Sequence, residues 1–354
     1  MSATPCVMPS RPMGARDVDK LLDIEDLRLT IATDQGPLYP VQGVSFALAQ
    51  GETLAIVGES GCGKSLSTMA ITGLMPLRAT LSAKRVALKG QSLLGLREHE
   101  WRRIRGRRIA VIFQDPMTSL DPCYTIEDQM REIGRQHLRL SGAELRTRAL
   151  DLLRRVGISS PETRLSQYPH QLSGGLRQRV MIALALMCEP ELIIADEPTT
   201  ALDVTIQAQV LRLLADLQRE RGFGLILITH DLGVVAGTAD RIAVMYSGQI
   251  VESGPTDTVL SAPAHPYTEG LLRSIPVPGH TARGAPLGFI PGVVPRPDAP
   301  LKACGFLNRC SRAAPACAAP IPLMPVDAQH AARCIRPRIG GEIVERSATV
   351  EAAA

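Results

Sequence analysis

The stretch Gly58-Glu59-Ser60-Gly61-Cys62-Gly63-Lys64-Ser65 has the spacing G-x-x-x-x-G-K-S/T, with the apolar run Leu54 to Val57 before it and a helix-like stretch after it. Residues of these types in this order can cradle a polyphosphate. Glycines let backbone N–H groups turn inward around phosphate oxygens, and a following helix aims its positive N-terminal end at them. Lys64 is then placed to reach the outer phosphates, and the Ser65 hydroxyl to ligate Mg²⁺. A second apolar run, Leu192 to Ala195, ends in Asp196 and Glu197. Carboxylates at the end of a parallel strand lie on the sheet edge where ligands bind. Asp196 fits the acid that holds Mg²⁺, and Glu197 fits a general base that polarises the attacking water. Alone, such a pair reads as a helix cap; beside a phosphate loop it reads as the second half of a nucleotidase site. A third motif, Leu172-Ser173-Gly174-Gly175-Leu176-Arg177-Gln178-Arg179, precedes the apolar stretch from Val180 and forms another helix start able to receive an anion.

These motifs need elements to position them, and the hydrophobic pattern supplies candidates. Leu27, Leu29 and Ile31, then Val41 to Leu48, alternate as half-buried antiparallel strands do. Leu54 to Val57, Ile109 to Phe113, Leu192 to Ala195 and Leu225 to Thr229 are continuous apolar runs of the kind found in buried parallel strands. Helices are expected over Lys64 to Leu74 and Thr205 to Gln218. A helical segment is expected over about 115–188, where Leu145, Leu152, Leu153 and Val156 share a face of the stretch Ala143 to Val156. Strand, helix, strand order implies a parallel sheet with right-handed crossovers. From about 276 the texture turns to Pro, Gly and Ala, which reads as an extension and not as more of the same sheet. The expected division is a loose tail over 1–20, an α/β core over 21–275, a cysteine-containing extension over 276–340 and a second tail over 341–354.

Composition narrows the function. The chain has 354 residues, 45% apolar and 21% charged, which suits a globular protein. Its 39 basic and 35 acidic residues nearly balance, so no nucleic-acid partner is expected, and the one dense basic run, Arg102 to Arg108, reads as a solvated face or a protein contact. No apolar stretch approaches the roughly 20 residues that a membrane-spanning helix needs. The N-terminal residues lack the apolar core of a secretory signal, so a cytoplasmic location is expected.

With all three motifs in this order, the chain resembles the ATP-binding-cassette family over most of residues 25–275, the Leu172 to Arg179 motif standing for the family's signature sequence. The resemblance implies a P-loop core with a mostly parallel sheet, an N-terminal antiparallel sheet and a helical subdomain. It implies ATP and Mg²⁺ as cofactors and transport-coupled ATP hydrolysis as the activity. It also gives roles to residues that spacing alone does not: Gln114 as the glutamine that touches Mg²⁺ and water, Ala201-Leu202-Asp203 as the loop crossing a dimer interface, and His230 as the histidine switch. ATP on the Gly58 to Ser65 loop of one subunit would be completed by Ser173, Gly174 and Gly175 of another. The chain departs from the family at Leu176, where Gln is frequent, and at Ile31, where an aromatic residue usually stacks on adenine. Tyr39 could replace that ring if the loop from Ala32 to Leu38 folds back.

Phe113-Gln114-Asp115-Pro116-Met117-Thr118-Ser119-Leu120-Asp121-Pro122 and His265-Pro266-Tyr267-Thr268 resemble the ATP-binding subunits of oligopeptide, dipeptide and nickel importers. That resemblance implies a homologous ATP-binding partner subunit, two transmembrane permease subunits, an extracytoplasmic solute-binding protein, and a place on the cytoplasmic face of the inner membrane. The rival readings are a nickel importer subunit, a soluble cassette protein that remodels ribosomes or nucleic acid, and a nonenzymatic regulatory module. Against the last two stand the single cassette, the short interval between Lys64 and Ser173, and the presence of both Glu197 and His230. The tail Cys304-x5-Cys310-x6-Cys317-x16-Cys334 also resembles relatives in which the cysteines are associated with a 4Fe-4S cluster. By chemistry alone four thiolates suit such a cluster or zinc, and unligated buried cysteines are the third reading.

Overall fold

The computed structural model describes residues 20–200, 202–275 and 288–346. Residues 1–19 and 347–354 of the two expected tails, the expected boundary at 276, and Ala201 lie outside the described residues.

The alternating N-terminal pattern forms a long antiparallel hairpin, β1 (Lys20–Thr33) with β2 (Gly36–Ala49). Three short strands complete a five-stranded sheet: β4 (Ala79–Ser82) and β5 (Arg85–Leu88) pair with β1, and β6 (Gln91–Ser92) pairs with β5. The turn at 34–35 brings Thr33 opposite Gly36, and Tyr39 lies within β2 at the irregularity between the Leu29–Val41 and Ile31–Leu38 pairs.

The four apolar runs become β3 (Thr53–Val57), β7 (Ile109–Ile112), β8 (Leu192–Asp196) and β9 (Gly224–Thr229). They align in parallel in the order β3, β9, β8, β7, and β10 (Arg241–Tyr246) joins β3 in parallel on the other side. Every residue of β3, β8 and β9 is buried. Both faces are covered, which is why these runs lack alternation in the sequence. Leu192, Ile194, Ile226 and Ile228 point into a core shared with the N-terminal sheet. Ile193, Ala195, Leu225 and Leu227 point the other way, into a core shared with the helices.

The helical segment holds α3 (Pro116–Ser119), α4 (Ile126–His137), α5 (Gly142–Arg155), α6 (Pro161–Leu165) and α7 (Gly174–Ala185), following α1 (Lys64–Ile71) and α2 (Glu98–Trp101). As the pattern predicts, Leu145, Leu152 and Leu153 of α5 are buried, in one core with Val156, Ile126 and Met130. Helix α1 stops three residues short of the expected Leu74, where Gly73 adopts a left-handed φ of 66°. The stretch expected as Thr205 to Gln218 is α8 (Val204–Arg221), capped by the Asp203 carboxylate at Ile206 N–H.

The extension departs from its expected isolation. Strand β11 (Gln249–Pro255), antiparallel to β10, pairs with β13 (Ala331–Ala332), which pairs in turn with β12 (Met324–Pro325), so the extension does add strands to the main sheet. The physical reason is edge protection. Without these pieces β11 would present unpaired backbone groups, and two-residue strands are too short to leave a periodic signal. The extension also reaches the N-terminal hairpin, where Tyr39 N–H donates to Pro297 O at 2.6 Å and Leu301 N–H to Gln42 Oε1 at 2.7 Å.

Candidate functional site

Four parallel strands deliver the chemistry to one edge. The phosphate loop follows β3, Gln114 lies two residues past β7, Asp196 ends β8 with Glu197 next, and His230 follows β9. Side chains or backbone of Ser60, Gly61, Gly63, Lys64, Ser65, Gln114, Glu197 and His230, with Leu66, line a single cavity of about 510 Å³.

The loop owes its shape to glycine. Gly58, Gly61 and Gly63 take φ of 153°, 78° and 104°, and a Cβ on Gly58 or Gly63 would collide with the carbonyl of Met245 or Pro40. Lys64, 5% exposed, donates from Nζ to Gly58 O at 2.8 Å and to Glu59 O at 3.0 Å. Ser65 Oγ donates to Asp196 Oδ1 at 2.9 Å. Burial pushes the Asp196 carboxyl above its usual range, the Ser65 hydrogen bond pulls it back, and the neighbouring Glu197 charge raises it again. A desolvated acid beside a hydroxyl is an oxygen donor set suited to Mg²⁺.

Glu197 has a left-handed backbone, φ 45°, pinned by its N–H donating to Ile228 O at 3.0 Å. Its Oε2 accepts from Gln114 Nε2 at 3.2 Å and from Thr200 Oγ1 at 2.9 Å, and stands 3.3 Å from His230 Nδ1. The three groups converge on one carboxylate oxygen. Such a carboxylate is oriented and has a histidine at hand to share a proton.

Ser173, Gly174, Gly175 and Asp203 do not line this cavity. Ser173 is the N-cap residue of α7 and is exposed, as are Gly174 and Asp203. A Cβ on Gly174 would touch Leu202 and one on Gly175 would press on Ile206, so the start of α7 sits against the start of α8 as a second, outward-facing patch.

The chain is similar to known proteins both in sequence and in fold. An ABC transporter family model matches residues 41–200, and an oligopeptide/dipeptide transporter C-terminal region model matches residues 251–317. The dipeptide transport ATP-binding protein DppD of Bacillus subtilis is 49% identical over 294 residues, covering 83% of this chain and 87% of that protein. This chain belongs to the ABC transporter family and is an ATPase. DppD of Escherichia coli is 47% identical over 305 residues, covering 86% of this chain and 92% of that one. The solved ATP-binding cassette MJ0796, a dimer in a post-hydrolysis state bound to ADP and Pi, superposes with a TM-score of 0.60 at 29% identity, covering 66% of this chain and 98% of that one.

The ABC ATPase contains site contacts that its motifs do not announce. Thr200 bonds Glu197, the Tyr267 hydroxyl accepts from Glu59 N–H at 2.9 Å, and Arg309 grips the Glu59 carboxylate. Tyr267 lies in the His265 to Thr268 motif, which was a signal; Arg309 had none.

The four tail cysteines gather in space. Cys304 N–H donates to Cys317 O at 3.0 Å, Cys310 Sγ accepts from Arg312 N–H at 3.3 Å, and Cys334 Sγ from Arg336 N–H at 3.3 Å. Burial pushes the Cys304 and Cys310 thiols up and that of Cys334 to about 12, and the neighbouring thiols push the same way. Among the described residues no group of three or more His, Cys, Asp or Glu side chains is arranged to hold a metal ion, so the arrangement by itself gives no support to a metal site there. No described helix is long and apolar enough to cross a membrane.

Proposed function

We propose that this ABC ATPase powers the import of peptides as a peripheral subunit on the cytoplasmic face of the membrane. It would work with a homologous ATP-binding subunit, two permease subunits and an extracytoplasmic solute-binding protein. The observation that carries the reading is the separation of the Lys64 cavity from the Ser173 patch within one chain, beside relatives named as dipeptide transport ATP-binding proteins. A chain with two half-sites facing different ways acts when a second subunit brings the missing half. In this reading Gly58 to Ser65 hold the phosphates, with Glu59, Ser60, Gly61, Cys62 and Gly63 contributing backbone. Ser173, Gly174, Gly175 and Asp203 of each subunit serve the site of the other. Mg²⁺, when bound, neutralises phosphate charge, and Ser65, Asp196 and Gln114 are the residues that would hold it. Glu197 takes the proton of the attacking water, and His230 and Gln114 orient that carboxylate. The cassette over 21–275 carries this chemistry and the extension over 276–340 braces it.

The test is reconstitution in proteoliposomes with the partner, permease and binding proteins. ATP-dependent uptake of labelled dipeptide and ATPase stimulation by the membrane subunits are expected; uptake of Ni²⁺ alone, or no stimulation, would remove the peptide reading. For the tail we infer a structural 4Fe-4S cluster on Cys304, Cys310, Cys317 and Cys334, a reading that rests on the chemistry of four thiolates and on the likeness of the cysteine spacing to relatives, not on their placement in the fold. Anaerobic purification with iron and sulfide analysis should give about four of each per chain. Stoichiometric zinc, or a metal-free protein, would reject the cluster.

A further inference from the structure

Glu59 is an acid inside a loop that must receive a polyanion, and its charge works against that task unless it is neutralised and turned away. The loop holds this residue at three points. Its N–H donates to Tyr267 Oη at 2.9 Å, its carbonyl accepts from Lys64 Nζ at 3.0 Å, and its carboxylate accepts from Arg309 Nη1 at 2.7 Å and Nη2 at 3.1 Å. The guanidinium side chain is 5% exposed and lies 5.7 Å from the Tyr246 ring centre. All its N–H donors are spent: Nε donates to Pro291 O at 2.8 Å, Nη2 also to Ile290 O at 3.2 Å, and Nη1 also to Tyr246 Oη at 3.3 Å. Those carbonyls belong to the extension itself, so the arginine is fixed before it meets Glu59. Burial and a two-pronged pair make this contact strong and directional.

We propose that Arg309 is a positioning residue for ATP binding, one that never touches nucleotide and acts through Glu59 on Lys64 and the phosphate loop. The extension thereby becomes part of the nucleotide site. This inference rests on the reading of Gly58 to Ser65 as the ATP loop, and its test separates the two.

The experiment is a double-mutant cycle on the full chain, titrating the Mg²⁺ complex of the non-hydrolysable analogue AMP-PNP by calorimetry. Arg309→Met should weaken binding about tenfold, the equivalent of one lost charge-assisted contact of about 1.4 kcal/mol. In a Glu59→Gln background, where no charge needs neutralising, the same change should cost less than about threefold. Arg309→Lys, which keeps the charge but not the fork, should fall between wild type and Arg309→Met. Equal losses in both backgrounds, or a lowered melting temperature with unchanged affinity, would reduce Arg309 to a structural brace and overturn the proposal. If Arg309→Met does not fold, the Arg309→Lys cycle decides by the same criterion. Failure of the wild-type chain to bind the analogue would instead strike the reading of the loop.

Discussion

Glu197 combines a strained backbone with three polar neighbours, and that combination is concentrated where chemistry occurs. Glu197→Gln keeps the shape and the hydrogen bond to Thr200 but cannot take a proton. It should leave Mg·ATP binding nearly intact and slow hydrolysis at least ~100-fold in the assembled complex, the usual cost of losing a general base. Wild-type turnover by that variant would reassign the base. The clustering of Lys64, Ser65, Asp196 and Glu197 at one sheet edge is legible in the sequence because each sits in a short, contiguous motif at the end of an apolar run. Arg309 is not, because its partner is Glu59, far back in the chain, and an arginine beside a cysteine in a Pro-rich tail carries no pattern. Thr200 stands between the two cases: it is three residues from Glu197, but a threonine there reads first as a turn residue.

At the scale of elements, the strands buried on both faces announce themselves as continuous apolar runs, whereas β12 and β13 are visible only once β11 has an edge to cover. The His265 to Thr268 motif shows a similar gap between recognising a string and knowing its physics. His265 is the N-cap residue of α11 (Pro266–Arg273), with Nδ1 accepting from Tyr267 N–H at 3.1 Å. Burial, with the Arg312 and Arg333 charges nearby, pushes its pKa down to about 3. The folded chain therefore keeps this imidazole neutral while the unfolded chain protonates it near pH 6.5. Stability from this residue is complete above about pH 6.5 and is lost progressively as the pH falls toward 3. The wild-type melting temperature should fall on acidification below about pH 6, and His265→Asn, which can still cap the helix, should flatten that fall. An identical acid slope in the variant would assign the effect to other groups.

In the whole molecule, the site is assembled from segments that lie far apart in the chain, and this has a consequence for its synthesis. β3 pairs with β9 on one side and with β10 on the other. All five of its residues are buried in the finished sheet, but no strand made before residue 224 pairs with it. At ribosomal speeds of roughly 5–20 residues per second, the phosphate loop and its strand wait about 10–30 seconds for their first neighbour. Arg309 arrives later still. During that interval β3 has no strand beside it, so the sheet that carries the phosphate loop closes only late in synthesis.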